Sequence, residues 1–454
     1  MAAQQEGVAQ FRGQMPIAQR PTSNAEFTTA VAFFSALDVA CRTLEVFFRL
    51  KDPRRALVQF VRSEIETHGP VSFAWFMEQA LYHPEHGFYS SGRATLGRGG
   101  DYFTNVSVGP LFGRLLAFQF AEAWERLGRI DSFSIVEQGA HEGELARDVL
   151  DALQSQSPEF FSQVRYRIVE PFAVLRERQA RNLRIFGDKV DWCDSLDALD
   201  PFTGIHFSNE LLDAMPVHLV CSSEREPNPN APAETDWREK YVALMDGILI
   251  FVSQPITNPV LRDRLKKLPA LPPNYETEMN LAALDWLDSV AAKLKRGFVL
   301  AVDYGFVRDE FFADHRRTGT LQCRKEHRLL ASPLEQVGDA DITAHVEWTS
   351  IARHAETLGL AIAGFTDQHH FLTGLITQEP ALIQHGDSKS RRALQTLLHP
   401  EMFGRSFQVL ALSKEVEPNI ILSGFKYARD SRRALGLDSG GDAIPFSSSQ
   451  SKQD

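Results

Sequence analysis

The sequence predicts an α/β protein whose mostly parallel sheet carries helices on both faces. The first observation is that short apolar strands alternate with helical segments from residue 134 onward, which is typical of a parallel sheet. The second is a glycine-containing turn between the first of these strands and its helix. The third is length: at 454 residues the chain is long for one minimal domain, so we expect substantial additions to the core.

Apolar runs and helical periodicity assign the elements in order. Strands are predicted at residues 134–137, 166–170, 188–192, 204–209, 297–303, 360–366 and 407–412. Helices are predicted at residues 55–66, 72–81, 109–127, 144–154, 173–183, 278–294 and 346–358. Ser72 is the expected N-cap of the second helix, and a hairpin over 241–253 turns at Asp246-Gly247.

This order divides the chain into a core with additions. The expected parts are an N-terminal extension, helical or disordered, at 1–51; a helical region with a Gly-rich loop at 52–127; the core at 128–416, with insertions at about 222–296 and 306–345 that form a substrate subdomain; and a mostly disordered tail at 417–454. The end of the tail is rich in Gly, Ser and Asp and cannot bury enough apolar area to order itself.

Composition argues against several kinds of partner. A formal net charge of −11 disfavours non-specific nucleic-acid binding, because an acidic surface repels phosphates. The best apolar run, Ala30 to Leu50, carries charged residues, so no membrane insertion is expected. The 4 cysteines are scattered and His369-His370 lacks ligand spacing, so no metal is assigned. Weak presequence character over Met1 to Asn24 favours a bacterial cytoplasm, with the mitochondrial matrix as the alternative.

The first candidate site is the turn from Glu137 to Gly143, between a strand and a helix. Gly139 and Gly143 let backbone N–H groups and a helix N-terminus approach a ligand, and Glu170 at the next strand end suits a ribose hydroxyl pair. His141 stands where a dinucleotide turn needs close backbone approach, which favours S-adenosylmethionine over NAD. A purely structural turn is the alternative.

The second candidate site follows the fourth strand and contains Asn209, Glu210 and Asp213. Polar groups at the carboxyl edge of a parallel sheet face the ligand crevice. The two acids are suited to hold a cationic substrate or to take a proton from a nucleophilic nitrogen. Helix capping is the other reading, and both can be true.

Further cofactor candidates lie on either side of these motifs. Gly100, Asp101 and Thr104 precede the core and either contact the cofactor or stabilise a turn. Asp194 follows the third strand and joins the cofactor set.

The substrate candidates come later in the chain. Asp303 and Tyr304 end the fifth strand at the same crevice edge, although a simple strand-to-loop turn would also explain them. Asp341, Thr343 and His345 either line the substrate channel or cap the following helix.

Taken together, these motifs resemble those of the MidA-like family, also called DUF185. The matching stretches, between about Ala56 and Lys414, are Gly69-Pro-Val-Ser-Phe73, Tyr82-His-Pro84, Gly87-Phe-Tyr89, Gly100-Asp-Tyr-Phe-Thr104, Phe112-Gly113, Glu137-Gln-Gly139 to Gly143, Ile168-Val-Glu170, Asn209-Glu210, Asp213-Ala214, Pro216, Asp303-Tyr-Gly305, Gly319-Thr-Leu321 and Asp341-Ile-Thr-Ala-His345.

The resemblance implies a class I methyltransferase (Rossmann-like) fold with an extra helical or substrate subdomain, and S-adenosyl-L-methionine as cofactor. Gly139 and Gly143 would form the cofactor turn, Glu170 would contact the ribose, and Asn209 and Glu210 would meet the substrate. Mitochondrial members assist the assembly of respiratory complex I, so the resemblance also implies a protein arginine as methyl acceptor. The expected partners are a protein substrate, such as a respiratory complex subunit, and a second copy of the chain in a homodimer.

We therefore expect in-line methyl transfer to a nitrogen, with Glu210 and Asp213 orienting a guanidinium. One departure from the family is His141, at a position where glycine is common. An NAD(P)-dependent oxidoreductase is the rival enzyme, and His141 speaks against it. A non-catalytic assembly factor that binds the same cofactor is the rival from another class.

Overall fold

The computed structural model describes residues 53–93, 104–222, 237–269, 271–378, 380, 388–418 and 420–438. Contacts divide the chain into two units, Met1–Arg55 and Ala56–Asp454, and the sheets and the candidate site all belong to the second. The predicted extension at 1–51 lies outside the described residues.

The strands of the described residues are β1 Val71–Ser72, β2 Phe133–Gln138, β3 Val164–Val169, β4 Val190–Cys193, β5 Phe202–Asn209, β6 His218–Ser222, β7 Trp237–Met245, β8 Ile248–Pro255, β9 Glu276–Met279, β10 Leu294–Phe306, β11 Gln322–Lys325, β12 Arg328–Leu329, β13 Asp341–Thr343, β14 Val346–Glu347, β15 Ala361–Asp367 and β16 Phe407–Lys414.

The α-helices are α1 Pro53–His68, α2 Phe73–Tyr82, α3 Leu111–Arg126, α4 Glu144–Gln156, α5 Pro158–Gln163, α6 Ala173–Leu183, α7 Pro259–Leu265, α8 Ala282–Lys293, α9 Arg308–Phe311, α10 Trp348–Thr357, α11 Gln368–Gln378, α12 Ser388–Leu398 and α13 Ser431–Ala434. Short 3₁₀ turns lie at Val106–Val108, Arg184–Lys189, Asp314–Arg316 and Ser423–Phe425, and a π turn at Pro400–Gly404.

The central sheet has the strand order β15-β16-β10-β5-β2-β3-β4. Neighbours from β10 to β4 are parallel, whereas β16 runs antiparallel to both β10 and β15. Every strand predicted from the sequence is present here, with its ends shifted by a few residues. The prediction of a mostly parallel sheet is therefore confirmed.

Strand alternation gives the sheet two covered faces. On β5, Ile205 and Phe207 pack with α3 and α4, while the intervening His206 faces the opposite side. That opposite side is covered by α8 and α10, whose Trp286 and Trp348 are both buried. Because both faces are covered, the strands read as continuous apolar runs, as the sequence shows.

The sheet has its topological switch point between β2 and β5. The chain runs from β2 outward to β3 and β4, then returns to β5 on the other side of β2. Gln138 and Ser208 are paired at the carboxyl ends of these two strands, so the segments that follow them lie side by side. Ligands of open α/β sheets bind at this position.

A second, antiparallel sheet accompanies the core. It has the order β1-β7-β6-β9, with β8 paired to β7, and the predicted hairpin turns at Asp246-Gly247. Helices α1 and α2 pack on it through Leu57, Phe73 and Phe76. As predicted, the hydroxyl of Ser72 caps α2 by accepting the Trp75 N–H. The predicted helices and the predicted hairpin are therefore present in this part of the chain. Strands β1, β6 and β9 of the same sheet were not predicted.

Two predicted helices begin later than expected. The helix predicted at 278–294 begins at Ala282, because Glu276–Met279 pairs with β6 instead. The helix predicted at 346–358 begins at Trp348, because Val346–Glu347 pairs with the end of β10. In both cases pairing with a distant strand overrides local helical propensity.

The predicted tail begins too early. Residues 420–438 pack against the core, where Leu422, Phe425 and Leu435 are buried. The backbone N–H of Ser423 donates to Glu122 at 2.8 Å, and that of Gly424 donates to Gln119 at 3.0 Å. The expectation of disorder from 417 is therefore wrong for 420–438, and residues 439–454 lie outside the described residues.

Among the described residues, no helix has both the length and the apolarity that crossing a bilayer requires.

Candidate active site

The turn after β2 has an alternating backbone. Gly139, His141 and Gly143 have φ angles of 82°, 47° and 82°, all in the left-handed region. Glycine adopts this region readily, whereas a residue with a Cβ pays about 1–2 kcal/mol. Gly143 is the N-cap of α4, so the turn ends at a helix N-terminus, where the first backbone N–H groups have no partner within the helix.

Helix α6 holds this turn in place. Gln179 donates to the carbonyl of His141 at 2.8 Å, and Asn182 donates to the carbonyl of Glu142 at 2.8 Å. Arg178 forms an ion pair with the Glu142 carboxylate at 2.9 Å. The left-handed backbone is thus fixed by side chains from the next βα unit.

Glu170 lies at the end of β3, beside the turn. Its Oε1 accepts the Phe172 N–H at 3.0 Å, and its Oε2 accepts from Gln179 at 3.0 Å. Burial raises the pKa of Glu170 to about 7, against the lowering effect of these hydrogen bonds. A carboxylate has more acceptor positions than these two donors use, so it can accept further hydroxyl groups.

Glu137 points away from this edge and into the core. It is buried, and its carboxylate accepts from the hydroxyl of Tyr166 at 2.8 Å. Burial raises its pKa to about 7. Glu137 thus joins β2 to β3 beneath the turn.

Asp303 organises the segment that follows β5. Its Oδ2 accepts the backbone N–H groups of Leu211, Leu212 and Asp213 at 3.1, 2.8 and 3.3 Å. Its Oδ1 accepts the N–H of Tyr304 at 2.8 Å. Burial raises the pKa of Asp303 to about 7, while these donors act in the opposite direction. Asp303 therefore fixes the backbone of residues 211–213.

Glu210 begins that segment in a constrained conformation. Its φ is 51°, and its backbone N–H donates to the carbonyl of Val302 at 2.9 Å. Its Oε1 accepts from Asn209 at 2.9 Å and from the backbone N–H of Asn105 at 3.3 Å. Burial raises the pKa of Glu210 to about 8.

Glu210, Asp213, Asp303 and Asp341 together form what we call the acid pocket. Burial raises the pKa of Asp213 well above its ordinary value, and the carboxyls of Asp303, Glu210 and Asp341 raise it further. Within the described residues, no lysine or arginine forms an ion pair with Glu210, Asp213 or Asp303. Like charges this close raise each other's pKa values.

Tyrosines line the acid pocket. Tyr89 donates to Asp341 at 2.5 Å and stacks on Tyr82, whose hydroxyl donates to the carbonyl of Ala214 at 3.1 Å. Burial, then Asp213 and Asp341, raises the pKa of the Tyr82 phenol. Burial and then Glu210 raise that of Tyr304. The pocket therefore combines carboxylates with aromatic rings.

The two halves of the site adjoin. A Cβ at Gly139 would lie 3.4 Å from the side chain of Leu211, next to Glu210. Burial and then the carboxyls of Asp213 and Asp341 raise the pKa of Tyr82, and Glu170 at the turn edge adds to them.

Other predicted site residues have different surroundings. Thr104 is buried and bonds Ser107 through its hydroxyl at 3.1 Å, which matches the turn-stabilising reading. Asp194 is 71% exposed and pairs with Arg176 at 2.5 Å. Gly100 and Asp101 lie outside the described residues.

The three substrate candidates Asp341, Thr343 and His345 lie in different surroundings. Thr343 lies in β13, opposite Gln322. The His345 ring stacks on Phe306 with centroids 4.9 Å apart, and burial lowers its pKa to about 4, so it is neutral at physiological pH. Asp341 alone of this group belongs to the acid pocket.

Several residues in the site escaped the sequence analysis: Gln179, Asn105, Tyr82 and Tyr89. Gln179 lies at an ordinary position of an amphipathic helix, and no local signal singles it out. The two tyrosines fall within stretches quoted for the family resemblance, which is the signal that could have found them.

The strand order, the glycine turn at the switch point and the acid at the next strand end define a class I methyltransferase. A family model of S-adenosyl-L-methionine-dependent methyltransferases matches residues 115–366. The chain belongs to this family, and S-adenosyl-L-methionine is its cofactor.

Known proteins extend this assignment beyond the matched core. A Burkholderia thailandensis protein crystallised with S-adenosyl-homocysteine is 32% identical, with a TM-score of 0.74 over 84% of this chain and 97% of that one. A native crystal structure from the same organism gives 31% identity and a TM-score of 0.71 over the same shares.

Curated relatives carry a more specific name. The Drosophila melanogaster "Protein arginine methyltransferase NDUFAF7 homolog, mitochondrial" is 26% identical over 399 residues, 79% of this chain and 84% of its own. The Homo sapiens "Protein arginine methyltransferase NDUFAF7, mitochondrial" is 25% identical over 426 residues, 85% of this chain and 88% of its own.

Proposed function

We propose that this methyltransferase modifies an arginine side chain of a protein. The observation that carries the proposal is the acid pocket: Glu210, Asp213 and Asp303 are clustered, and within the described residues no lysine or arginine forms an ion pair with them. A bound cation favours the ionised form of carboxyls whose pKa values are raised, and a planar guanidinium pairs with carboxylates through two parallel hydrogen bonds. The names of the curated relatives support the same acceptor.

The cofactor residues are proposed from the turn edge. Gly139 and Gly143 allow the backbone to approach the ligand, because neither carries a Cβ in a left-handed turn. Glu170 accepts the ribose hydroxyls, since its carboxylate has acceptor positions beyond its two existing donors. His141 shapes the turn through its backbone. When bound, S-adenosyl-L-methionine supplies a methyl group already activated by the adjoining sulfonium.

The roles of the acid pocket follow from its partners. Glu210 and Asp213 orient the guanidinium and partly neutralise it, while Asp303 holds the segment that carries them. The acceptor nitrogen bonds to the methyl carbon as the carbon–sulfur pair of electrons stays on sulfur. The same nitrogen loses one proton, which passes to a carboxylate of Glu210 or Asp213 before release to solvent. Positioning therefore does most of the work.

Labelled cofactor tests the proposal. Wild type and Glu210→Gln are incubated with methyl-labelled S-adenosyl-L-methionine and a protein lysate. We expect wild type to label protein, and Glu210→Gln to label it at least about 10-fold more slowly, with its affinity for S-adenosyl-homocysteine within about 2-fold. Equal labelling by both proteins would remove Glu210 from the proposal.

The partner and the compartment are finer proposals. We infer that the acceptor is a protein, such as a respiratory complex subunit, because the resemblance to complex I assembly factors points that way. For the compartment we keep the bacterial cytoplasm, supported by the higher identity to the Burkholderia thailandensis protein than to the mitochondrial relatives. Fractionation of source cells distinguishes it from the mitochondrial matrix. Cofactor binding without any transfer would favour a non-catalytic assembly factor.

A further inference from the structure

Beyond the acid pocket lies a chain of side-chain amides that ends on Glu210. Gln368, the first residue of α11, donates from Nε2 to Oδ1 of Asn105 at 3.0 Å. Asn105 donates from Nδ2 to Oδ1 of Asn209 at 3.1 Å. Asn209 in turn donates from Nδ2 to Oε1 of Glu210 at 2.9 Å. We call these four residues the amide relay.

The relay has one consistent direction. A carboxylate only accepts hydrogen bonds, so Asn209 must present its NH₂ group to Glu210 and its carbonyl to Asn105. Asn105 must then present its NH₂ group to Asn209 and its carbonyl to Gln368. The donors therefore point in one direction along the relay: Gln368 donates to Asn105, Asn105 to Asn209, and Asn209 to Glu210.

The far end of the relay is anchored in the core. Gln368 and Asn105 have no exposed surface, and Gln368 Nε2 also donates to the carbonyl of Leu397 at 3.1 Å. Gln368 Oε1 is buried with no hydrogen-bond partner among the described residues, an arrangement that is unfavourable for the folded chain. Filling space does not explain this amide, because its Nε2 donates to Asn105 Oδ1 and to the Leu397 carbonyl, and an apolar side chain would leave both without that donor.

We propose that Gln368 is a positioning residue for methyl transfer, acting through Asn105 and Asn209 to fix the carboxylate of Glu210. Oε1 of Glu210 takes both donors, from Asn209 and from the Asn105 backbone, whereas Oε2 makes no hydrogen bond to the described residues. Oε2 is thereby kept for the acceptor. The inference rests on the proposed function in one respect, the identity of the methyl-accepting group that binds to Oε2.

The relay also opposes the electrostatics of the pocket. Burial and the carboxyls of Asp303 and Asp341 raise the pKa of Glu210, while the Asn209 and Asn105 donors lower it. Asp213 and Tyr304 face the same carboxyl. Without the Gln368 amide, Asn105 and Asn209 lose the bond that orients them, and their donation to Glu210 should weaken. The pKa of Glu210 should therefore rise further, which a purely structural role for Gln368 would not cause.

Gln368→Met removes the donor with little change in shape, and Gln119→Met is the matched control. Gln119 is an equally buried glutamine that donates to Glu122 and accepts from Gly424, away from the relay. The pKa of Glu210 is measured by ¹³C NMR titration of carboxyl-labelled glutamate, with the Glu210 signal assigned by its loss in Glu210→Gln. This measurement needs no methyl acceptor.

We expect Gln368→Met to move the Glu210 titration upward by about one pH unit and Gln119→Met to leave it in place. We also expect Gln368→Met to slow methyl transfer about 10-fold in wild type and less than about 2-fold in the Glu210→Gln background. An unchanged Glu210 titration in folded Gln368→Met would overturn the relay. A shifted titration in a protein that labels no arginine would overturn the proposed acceptor and leave the relay standing.

Discussion

Gln179 Nε2 lies 3.0 Å from Glu170 Oε2 and 2.8 Å from the carbonyl oxygen of His141. One buried amide group thus binds the left-handed turn after β2 to the carboxylate at the end of β3. Its Oε1 accepts from Trp192 at 2.9 Å, so both ends of the amide are fixed. Gln179 therefore fixes the turn and the carboxylate to which we assign the cofactor.

Glu170 and Asp194 follow the neighbouring strands β3 and β4, and we expect their substitution to affect cofactor binding to different degrees. Glu170→Gln is expected to weaken S-adenosyl-homocysteine binding by about 10-fold or more, because a hydrogen bond to a charged group contributes about 1.5–3 kcal/mol. Asp194→Asn is the comparison: the sequence also places Asp194 in the cofactor set, but its side chain is exposed and pairs with Arg176, so we expect a smaller loss. Titration calorimetry measures both. A larger loss in Asp194→Asn would reverse the assignment.

The backbone at His141 predicts a graded series of stabilities. Its φ of 47° is costly for any side chain and most costly for a β-branched one. His141→Gly should therefore be more stable than His141→Val by at least about 1 kcal/mol in denaturant unfolding. Equal stabilities would mean that the turn relaxes out of the left-handed region.

Activity and stability should depend on pH in opposite directions. Burial raises the pKa of Glu210 to about 8 and that of Asp303 to about 7, so kcat/KM should rise between about pH 6.5 and 9 as these groups ionise. A carboxyl whose pKa is raised on folding contributes stability below its unfolded pKa of 4.5, and that contribution is lost as the pH rises through 8.

Rate profiles and thermal melts over the same buffers test this opposition. Glu210→Gln should flatten the alkaline part of the rate profile and reduce the fall in melting temperature. A wild-type rate that is constant across the range would contradict an ionised pocket as the acceptor site.

His206 offers a stability test remote from the site. It has no exposed surface, and both ring nitrogens lack a partner among the described residues. Burial lowers its pKa to about 3, so protonation favours the unfolded chain and stability falls as the pH drops below 6.5. His206→Leu should stabilise the protein by about 1–3 kcal/mol and weaken this acid dependence.

The control for that change is His218. Its Nδ1 lies 2.6 Å from Glu239, which is 1% exposed, so His218→Leu leaves a buried carboxyl without its partner. Chemical denaturation should show destabilisation in His218→Leu and the opposite sign in His206→Leu. Destabilisation by both would mean that His206 has a partner of its own.

The sheet was predictable because parallel strands are buried on both faces and read as apolar runs. The glycine turn and Glu170 were predictable because each follows the end of a strand that the apolar runs locate. The acid pocket was foreseen only in part: Glu210 and Asp213 stand together in the sequence, whereas their proximity to Asp341 depends on how distant segments pack.

The remaining features have no local signature. Strand β9 contains the charged residues Glu276 and Glu278, and it pairs with the edge of β6, a distant segment of the chain. The amide relay joins Gln368 to Asn105 across 263 positions of the chain. Such long-range side-chain bonds leave no periodicity that a sequence pattern could detect.

The most direct measurement is the identity of the methylated side chain. Proteins labelled by the wild-type enzyme with methyl-labelled S-adenosyl-L-methionine are hydrolysed to amino acids, and the labelled species is identified by chromatography and mass spectrometry. The acid pocket predicts that the label is found in methylated arginine, with little transfer by Glu210→Gln. Label in lysine, histidine or a carboxyl ester, at a rate that Glu210→Gln leaves unchanged, would contradict the account.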